Sequence, residues 1–531
     1  MYRRIPGSDD WRSGRFSSGN AGYAGATISM PLSDRIRDVL AVDPAAVEID
    51  FLGEPITWGT IAEFVDEIEA LLRRGGVGPG APVGLLLRNR PEMFSAILSL
   101  IANERCIVCV NPMQSEAGLA RDLETLGVSA LVAVAEDWQS EVTRAAASRA
   151  GSLTISLDRK SDPAARLVPG LERLGGGQFR EDAAGVAVEM LTSGTTGPPK
   201  RIELRSDAFE KSLLGASHYE SSRSEEPTLQ TSFAIVSGPL VHIGGMFLSV
   251  KAAFDGRPFC LLERFEVDMW VDAVRRHRPK VTGLVPSAMK MVMDAEVPVE
   301  DLSSLRAVTT GTAPLTPELQ AAFEDRYGIP ILITYGATEF AGAVAGWTIG
   351  DHRSFAATKR GSVGRAHPGC ELRVVGEGSG EALGVDESGL LEVSSDQAPT
   401  KGWVRTADRA RIDADGFLWI EGRADGAINR GGFKIDPGAV ARTLERHPAV
   451  REAAVVGIPD DRLGEVPVAA YEASEGVEVP DERELLEFAR EHLTRYFVPT
   501  RIRVVDAIPR TPSLKPSLPA LRALFSEPSG S

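Results

Sequence analysis

The sequence predicts an α/β protein: a large N-terminal α/β region followed by a small C-terminal α+β unit. Three observations predict it. From about Ser33, helical patterns alternate with short apolar strands, the rhythm of βαβ units around a largely parallel sheet. Between Trp403 and Gly422 this rhythm gives way to a hairpin. After Asp425 a stretch of roughly a hundred residues, itself domain-sized, carries its own helices and strands. At 531 residues the chain is also too long for one hydrophobic core.

In chain order, residues 1–30 are rich in Gly, Ser and Arg and lack an apolar stretch, which reads as a flexible extension and not a secretory leader. TWGTIAEFVDEIEALLRRGGVGPG has apolar residues at helical spacing from Thr57 and stops at Gly75-Gly76, a helix closed by a glycine cap. APVGLLLRN reads as a buried strand, RPEMFSAILSLIANE as the next helix and CIVCVNP as a strand again. The alternation resumes from Gly185 to about Tyr335. RARIDADGFLWIEGR reads as two strands turning at Asp415-Gly416. The C-terminal unit follows as a helix (PGAVARTLERH), two strands (REAAVVGI, VPVAAYEA), a helix (DERELLEFAREHL) and a last strand (RIRVVDAI). The expected divisions are therefore 1–30, 31–423 and 424–531, with SEPSGS as a frayed tail.

Composition excludes several classes of function. Hydrophobic residues are 43% and charged residues 25%, ordinary for a soluble globular protein. The formal net charge of -16 argues against nonspecific nucleic-acid binding and against docking on anionic membranes. Any polyanionic ligand then needs a locally positive or amide-rich pocket. Residues 83–113 are the most apolar stretch, but Arg88, Arg90, Glu92, Glu104 and Arg105 interrupt it before the ~18 residues of a membrane span. Four cysteines point to a reducing, cytoplasmic setting without a disulfide framework. Cys106 and Cys109 form a C-x-x-C inside an apolar strand with no second ligand pair nearby, and read as buried strand cysteines.

The most informative segment is VAVEMLTSGTTGPPKRIEL. An apolar strand runs into Thr192-Ser193-Gly194-Thr195-Thr196-Gly197, then Pro198-Pro199-Lys200 and a further strand. Glycines let a backbone turn its N–H groups towards an anion, hydroxyls add donors, and the lysine supplies a point charge: the makings of a polyphosphate cradle. It is not a Walker A loop. Pro199 stands where the second glycine would fall, and Arg201 where a Mg-binding hydroxyl would.

This segment resembles the signature loop of the adenylate-forming superfamily, which includes acyl-CoA synthetases, peptide-synthetase adenylation domains and luciferases. Further segments resemble the family's motifs in the same order. They are Thr334-Tyr335-Gly336-Ala337-Thr338-Glu339; Trp403-Val404-Arg405-Thr406-Ala407-Asp408, with Ala407 in place of a glycine; and Gly422-Arg423-Ala424-Asp425 with Ile428-Asn429-Arg430-Gly431-Gly432-Phe433-Lys434-Ile435. Gly457-Ile458-Pro459-Asp460 and Pro509-Arg510-Thr511-Pro512-Ser513-Leu514-Lys515 complete the set. The match spans roughly residues 30 to 525.

The resemblance implies a large N-terminal region of stacked sheets and a small mobile C-terminal domain, with attack of a carboxylate on the α-phosphorus of ATP as the first step. It assigns the β- and γ-phosphates to the Ser193 to Gly197 loop with Lys200, the α-phosphate to Thr338 and Mg²⁺ to Glu339; one or two carboxylates suffice for such an ion. Tyr335, beside Gly336, would stack on adenine, Gly311-Thr312-Ala313 would form the adenine-pocket turn, and Asp408 with Arg423 would hold the ribose hydroxyls. Lys515 would bridge the attacking carboxylate and the α-phosphate, stabilising charge in the transition state. It is preceded by Leu514 where the family has glycine, a change without cost at negative φ and unfavourable at positive φ. Asp425 falls at the hinge about which the C-terminal domain turns between half-reactions. Asn429-Arg430-Gly431-Gly432 would then line the thiol tunnel, with Arg430 and Lys434 near the phosphates of coenzyme A.

The stretch Ser237-Gly238-Pro239-Leu240-Val241-His242-Ile243-Gly244-Gly245 holds no acid to pair with a substrate amine, so an amino-acid substrate is disfavoured. It resembles acyl-CoA synthetases, where the histidine, here His242, lies beside the carboxylate or gates the thioester tunnel. With Gly244, Gly311 and Gly336 it suggests an apolar monocarboxylic acid, fatty or aromatic. No carrier-protein serine motif follows Lys515, so the thiol is coenzyme A or a carrier protein in trans. A luciferase-like oxidase and a catalytically degenerate nucleotide-binding scaffold are the other readings.

Overall fold

The computed structural model describes residues 31–526 apart from 115, 173–178, 181–182, 192–200, 217–225, 338–339, 399–400, 424–425, 427, 431–432, 461–462, 494 and 512–513. Its centre is a seven-stranded sheet in the order Ala165–Leu167, Leu153–Leu157, Ala130–Val134, Pro82–Leu86, Cys106–Val110, Val186–Leu191, Arg201–Arg205. The inner strands are parallel, as the alternating pattern requires. The two outermost strands run antiparallel to their neighbours, because each returns directly from the strand before it without a crossover helix. Helices Trp58–Arg74 and Pro91–Ala102 cover this sheet, sharing with it a core built on Trp58, Phe64 and Phe94.

The helix starting at Trp58 shows how local chemistry sets these elements. The Thr57 hydroxyl accepts from the Thr60 amide at 3.2 Å, an N-cap, and the chain leaves the helix at Gly75-Gly76, where Gly76 takes φ +79°. Helix Pro91–Ala102 opens on a proline, whose missing N–H costs nothing in the first turn. It is buried along its whole length, Glu92, Ser95 and Ser99 included. Cys106 and Cys109 are free, buried thiols on opposite faces of their strand, so they cannot share a metal ion; burial pushes Cys109 up to about 12.

A second sheet follows the order Ala234–Val236, Phe259–Leu261, Val47–Phe51, Glu54–Thr57, and a third the order Val281–Gly283, Ala307–Thr310, Ile331–Ala337, Gly342–Gly346, Arg365–Ala366. Their shared core holds Trp270, Phe323, Trp347 and Phe417. A four-stranded antiparallel sheet comes next, Cys370–Val375, Gly389–Ser395, Val404–Ile412 and Leu418–Arg423. Its last pair is the expected hairpin, with Gly416 at φ +81° in the turn.

Beyond Arg423 the chain enters a different sheet. Ile428–Arg430 pairs with Phe433–Ile435 and with Gly464–Ala473, which also pairs with Val450–Asp460 and, in parallel, with Arg501–Val504. Helices Pro437–Leu444 and Glu482–His492 close a separate core on Ile428, Ile435, Val440, Leu444 and Leu485. The extension 1–30 and the hinge residue Asp425 lie outside the described residues. No helix among the described residues is long and apolar enough to cross a membrane.

Candidate active site

The phosphate-cradle residues Thr192, Ser193, Gly194, Thr195, Thr196, Gly197 and Lys200 lie outside the described residues, but both flanking strands are defined. Val186–Leu191 and Arg201–Arg205 pair antiparallel, with Leu191 opposite Arg201. Arg201 fastens this stem to the sheet by donating to the Cys109 carbonyl at 3.0 Å and to Asp122 at 2.7 Å. It is therefore an anchor, which accounts for an arginine where a Walker A loop has a hydroxyl. Thr338 and Glu339, which follow Ala337 at the end of strand Ile331–Ala337, are likewise outside the described residues.

His242 is the N-cap residue of helix Ile243–Phe254, so the free amides of the first turn begin beside its ring. Its Nε2 is buried and without a hydrogen-bond partner among the described residues. Burial, and then the ammonium of Lys515, lower its pKa and keep the imidazole neutral. Lys515 belongs to the C-terminal unit, so the charge felt at this ring comes from the other region of the chain. The turn presenting His242 explains its own sequence: a Cβ on Gly245 would stand 2.3 Å from the Pro239 carbonyl oxygen. The loop is held from below by Asn89. Its amide donates to the carbonyls of Gly238 at 3.0 Å and Leu262 at 2.9 Å, while its Oδ1 accepts from Leu240 N at 2.8 Å.

The small residues of the expected adenine turn are required by close packing. A Cβ on Gly311 would lie 2.7 Å from Thr334 Oγ1, and Thr334 Oγ1 itself donates to the Thr310 carbonyl at 3.2 Å. Thr312 adopts φ +66°, a conformation that β-branched residues rarely take, and its methyl is 4.0 Å from where a Cβ on Gly244 would sit. Ala313 follows immediately. A Cβ on Gly336 would fall 2.2 Å from the Gly342 carbonyl oxygen, at the bulge between Ile331–Ala337 and Gly342–Gly346. The turn Gly311-Thr312, the strand carrying Tyr335 and the start of the His242 helix thus converge.

Tyr335 donates its hydroxyl to Asp408 Oδ2 at 2.5 Å. Asp408 is directly opposite Arg423 in the register of Val404–Ile412 with Leu418–Arg423. The aromatic ring, the acceptor carboxylate and the strand position of the arginine expected for a nucleoside are therefore neighbours. Gly422, at φ +143°, leaves room for the Asp436 carboxylate 3.0 Å from its would-be Cβ; Asp436 in turn caps helix Pro437–Leu444 through Gly438 N at 2.8 Å.

Lys515 is exposed at the end of a tight turn. Leu514 N donates to the Thr511 carbonyl at 2.8 Å, and Thr511 N to the Lys515 carbonyl at 2.7 Å. Leu514 has φ +62°, so the leucine stands in the left-handed conformation that favours glycine, the unfavourable case. Arg430 lines a groove of about 540 Å³ together with Arg490 and Arg495, and also donates to the carbonyls of Tyr496 at 2.9 Å and Val498 at 3.0 Å. Gly431 and Gly432 lie outside the described residues.

A second cluster lies apart from these residues. Asp50, Cys260 and His277 bring metal-capable atoms within 4.8 Å of one another. The guanidinium of Arg276 already pairs with Asp50 and reaches Cys260, while burial pushes that thiol up to about 12. With a cation in place and three ligands instead of the usual four, the cluster serves as a charge-balanced anchor for helix Val267–His277. Sequence reasoning passed over Asn89, Arg201 as an anchor and the left-handed Thr312. A polar residue ending an apolar strand was the only signal for Asn89.

The family model described as AMP-binding enzyme matches residues 36–402, and that described as AMP-binding enzyme C-terminal domain matches residues 440–515. The chain is 28% identical to an indoleacetate–CoA ligase of Aromatoleum aromaticum, covering 91% of this chain and 96% of that one. It is 30% identical to 4-coumarate–CoA ligase 3 of Oryza sativa, covering 89% and 87%. Among solved structures, o-succinylbenzoate CoA synthetase from Bacillus subtilis, bound to an acyl-adenylate intermediate, superposes with a TM-score of 0.75 at 22% identity over 93% of this chain and 98% of that one. An amide bond synthetase from Marinactinospora thermotolerans gives 0.77 at 28% identity over 93% and 100%.

Proposed function

Since the chain belongs to the AMP-binding enzyme family, we propose that it is an ATP-dependent carboxylate–CoA ligase acting on an aromatic monocarboxylic acid. The enzyme makes an acyl-adenylate with release of pyrophosphate, then transfers the acyl group to coenzyme A. The observation that carries the reading is the buried Nε2 of a neutral His242, without a partner among the described residues and within the field of the Lys515 ammonium. A carboxylate entering there would meet a cation from the C-terminal unit and a neutral ring beside the free amides of a helix start. The preference for an aromatic acid rests on the relatives, which are named for indoleacetate, 4-coumarate and 2-succinylbenzoate.

In this reading Asp408, held by Tyr335, accepts from the ribose hydroxyls through its carboxylate oxygens. Tyr335 offers its ring to adenine, and Gly311 and Gly336 let backbone approach the base. Lys515 stabilises the charge that gathers between the carboxylate and the α-phosphate. Thr192 to Gly197 with Lys200 receive the outer phosphates. Glu339 provides a hard oxygen ligand suited to Mg²⁺, which when bound neutralises phosphate charge. For the second half-reaction the C-terminal unit, residues 424–531, turns about Asp425. Arg430, with Arg490 and Arg495 beside it, then faces the phosphates of coenzyme A. The work is cytoplasmic, where ATP and coenzyme A are found.

The test is product mass spectrometry with ATP, Mg²⁺ and a panel of aromatic, fatty and amino acids, with and without coenzyme A. Aromatic acyl-CoA plus AMP is the expected outcome. Acyl-AMP that persists when coenzyme A is added, and is discharged only by a holo-carrier protein or by an amine, would replace the thiol assignment. Fatty acyl-CoA alone would replace the substrate class.

A further inference from the structure

Lys515 reaches the site only if the C-terminal unit is held in the right orientation, and the contacts that hold it are traceable. Helix Pro286–Asp294 belongs to the N-terminal region. It follows strand Val281–Gly283, and a Cβ on Gly283 would lie 3.9 Å from Leu248 of the helix that begins beside His242. From this helix Lys290 crosses to the C-terminal unit and donates to the Arg451 carbonyl. Its ammonium is largely buried. It is faced by the carboxylates of Glu445 and Glu452 from the C-terminal unit and Asp294 from its own helix, and opposed by Arg451.

The residues Lys290 meets are tied directly to the lysine turn. Both carboxylate oxygens of Glu452 accept from Arg510 Nη2 at 2.5 Å, and Arg510 Nη1 donates to the Leu514 carbonyl at 2.7 Å. Arg510 also bridges to Pro516, so it straddles Lys515. In parallel, Arg451 pairs with Glu472, which accepts from Ile508 N at 2.7 Å at the approach to the same turn. A short chain of hydrogen bonds and charges therefore links a helix of the N-terminal region to the backbone on either side of Lys515.

We propose that Lys290 is a positioning residue for adenylation: it docks the C-terminal unit through the Arg451 carbonyl and the Glu445–Glu452 carboxylates, and through Arg510 sets the placement of Lys515. This rests on the ligase reading above for the identity of the half-reaction, though not for the contact itself. The contact must break when the unit turns, so Lys290 acts on one half-reaction and is dispensable in the other. A long, flexible, monovalent cation suits a reversible latch: its desolvation in the docked state is only partly offset by the facing carboxylates and is relieved on release.

The test uses the full-length chain with Lys290→Met, Lys290→Arg and Glu452→Gln, and measures the half-reactions separately. ATP–pyrophosphate exchange should fall by about ten- to a hundredfold in Lys290→Met, the loss expected for an ångström-scale misplacement of a catalytic group. Thioester formation from supplied acyl-adenylate and coenzyme A should be unchanged or faster. Lys290→Arg should recover most of the exchange, and Glu452→Gln should reproduce part of the loss. Equal loss in both half-reactions would make Lys290 merely structural and overturn the proposal, as would unchanged exchange in Lys290→Met. Carbodiimide cross-linking of Lys290 to Glu445 or Glu452, located by peptide mass spectrometry, reads the contact without any activity. A wild-type chain that cross-links but adenylates no acid would refute the ligase reading and leave the docking contact standing; one that adenylates but does not cross-link would refute the contact.

Discussion

Leu514 provides a perturbation whose sign can be worked out in advance. It stands at φ +62° immediately before Lys515 and is 43% exposed. An L-residue in the left-handed region carries roughly 1–2 kcal/mol of strain that glycine does not. Glycine forfeits about 0.5–1 kcal/mol of that advantage because its unfolded chain is freer. Comparing Leu514→Gly with Leu514→Ala removes the leucine side chain in both and isolates the Cβ. Glycine should then be the more stable by about 1 kcal/mol, the reverse of the order found in helices, and worth roughly fivefold in closure of the turn. In calorimetry of the full chain, the transition of the C-terminal unit should lie roughly 5 °C higher for the glycine variant, as expected for a unit of this size. ATP–pyrophosphate exchange should be up to about fivefold faster than in the alanine variant. An alanine variant as stable as the glycine one would refute the strain argument. A stabilised glycine variant with no gain in exchange would show that closure of this turn does not limit the presentation of Lys515.

Three further outcomes follow from packing and charge. Asn89→Ala leaves the Gly238 and Leu262 carbonyls and Leu240 N without their partner, so unfolding free energy should fall by about 3 kcal/mol and kcat/KM for the acid should drop with it; denaturant melts and steady-state kinetics check both. Gly336→Ala forces a Cβ to within 2.2 Å of a backbone oxygen, so about 3 kcal/mol or more of destabilisation is expected, visible as loss of the cooperative melt or of soluble protein. Burial lowers His367 to about 4, whereas in the unfolded chain it titrates near 6.5. Its contribution is therefore fully present above pH 6.5 and is lost as pH falls towards 4, by about 3 kcal/mol in all, and His367→Gln should flatten that limb of the stability–pH curve.

Much of the architecture was legible because local signals agreed with the global one. Thr57 and Gly75-Gly76 bracket a helix in the sequence and do so in the structure, and Asp415-Gly416 turns the hairpin it announces. The motif glycines were legible as positions, and the structure supplies their reasons in individual atoms: the Pro239 oxygen for Gly245, Thr334 for Gly311, the Gly342 oxygen for Gly336. Less legible were contacts between residues far apart in the chain. The bonds of Asn89 span about 150 residues or more, and Lys290 meets a carbonyl 161 residues away. No periodicity encodes such pairs. The left-handed Thr312 escaped for another reason: propensity argues against it, and tertiary packing overrides it, whereas Leu514 was an open alternative that its φ of +62° resolves. The antiparallel edges of the seven-stranded sheet reflect connection length and not strand composition, so alternation predicted a largely parallel sheet without saying which strands depart from it.

The strand Val47–Phe51 lies inside its sheet, between Glu54–Thr57 and a strand that comes much later: Ile49 pairs with Phe259, 210 residues further along. During synthesis at about 5–20 residues per second, roughly 10–40 s pass between the emergence of the two. For that interval the hairpin 47–57 has one edge without its partner, the kind of edge that recruits other chains. The same strand carries Glu48 and Asp50. In the finished fold Glu48 is buried with neither oxygen bonded among the described residues and its pKa raised, while Asp50 pairs with the Arg276 guanidinium and is hydrogen-bonded to His277. In the nascent chain both are solvated charges on a waiting edge, where they act as gatekeepers against premature pairing. Ribosome-arrested chains ending before and after Leu261 would read this directly: the shorter should expose the hairpin to protease, and the longer should protect it. A carboxylate that looks misplaced in the completed sheet thus has its use on the way there.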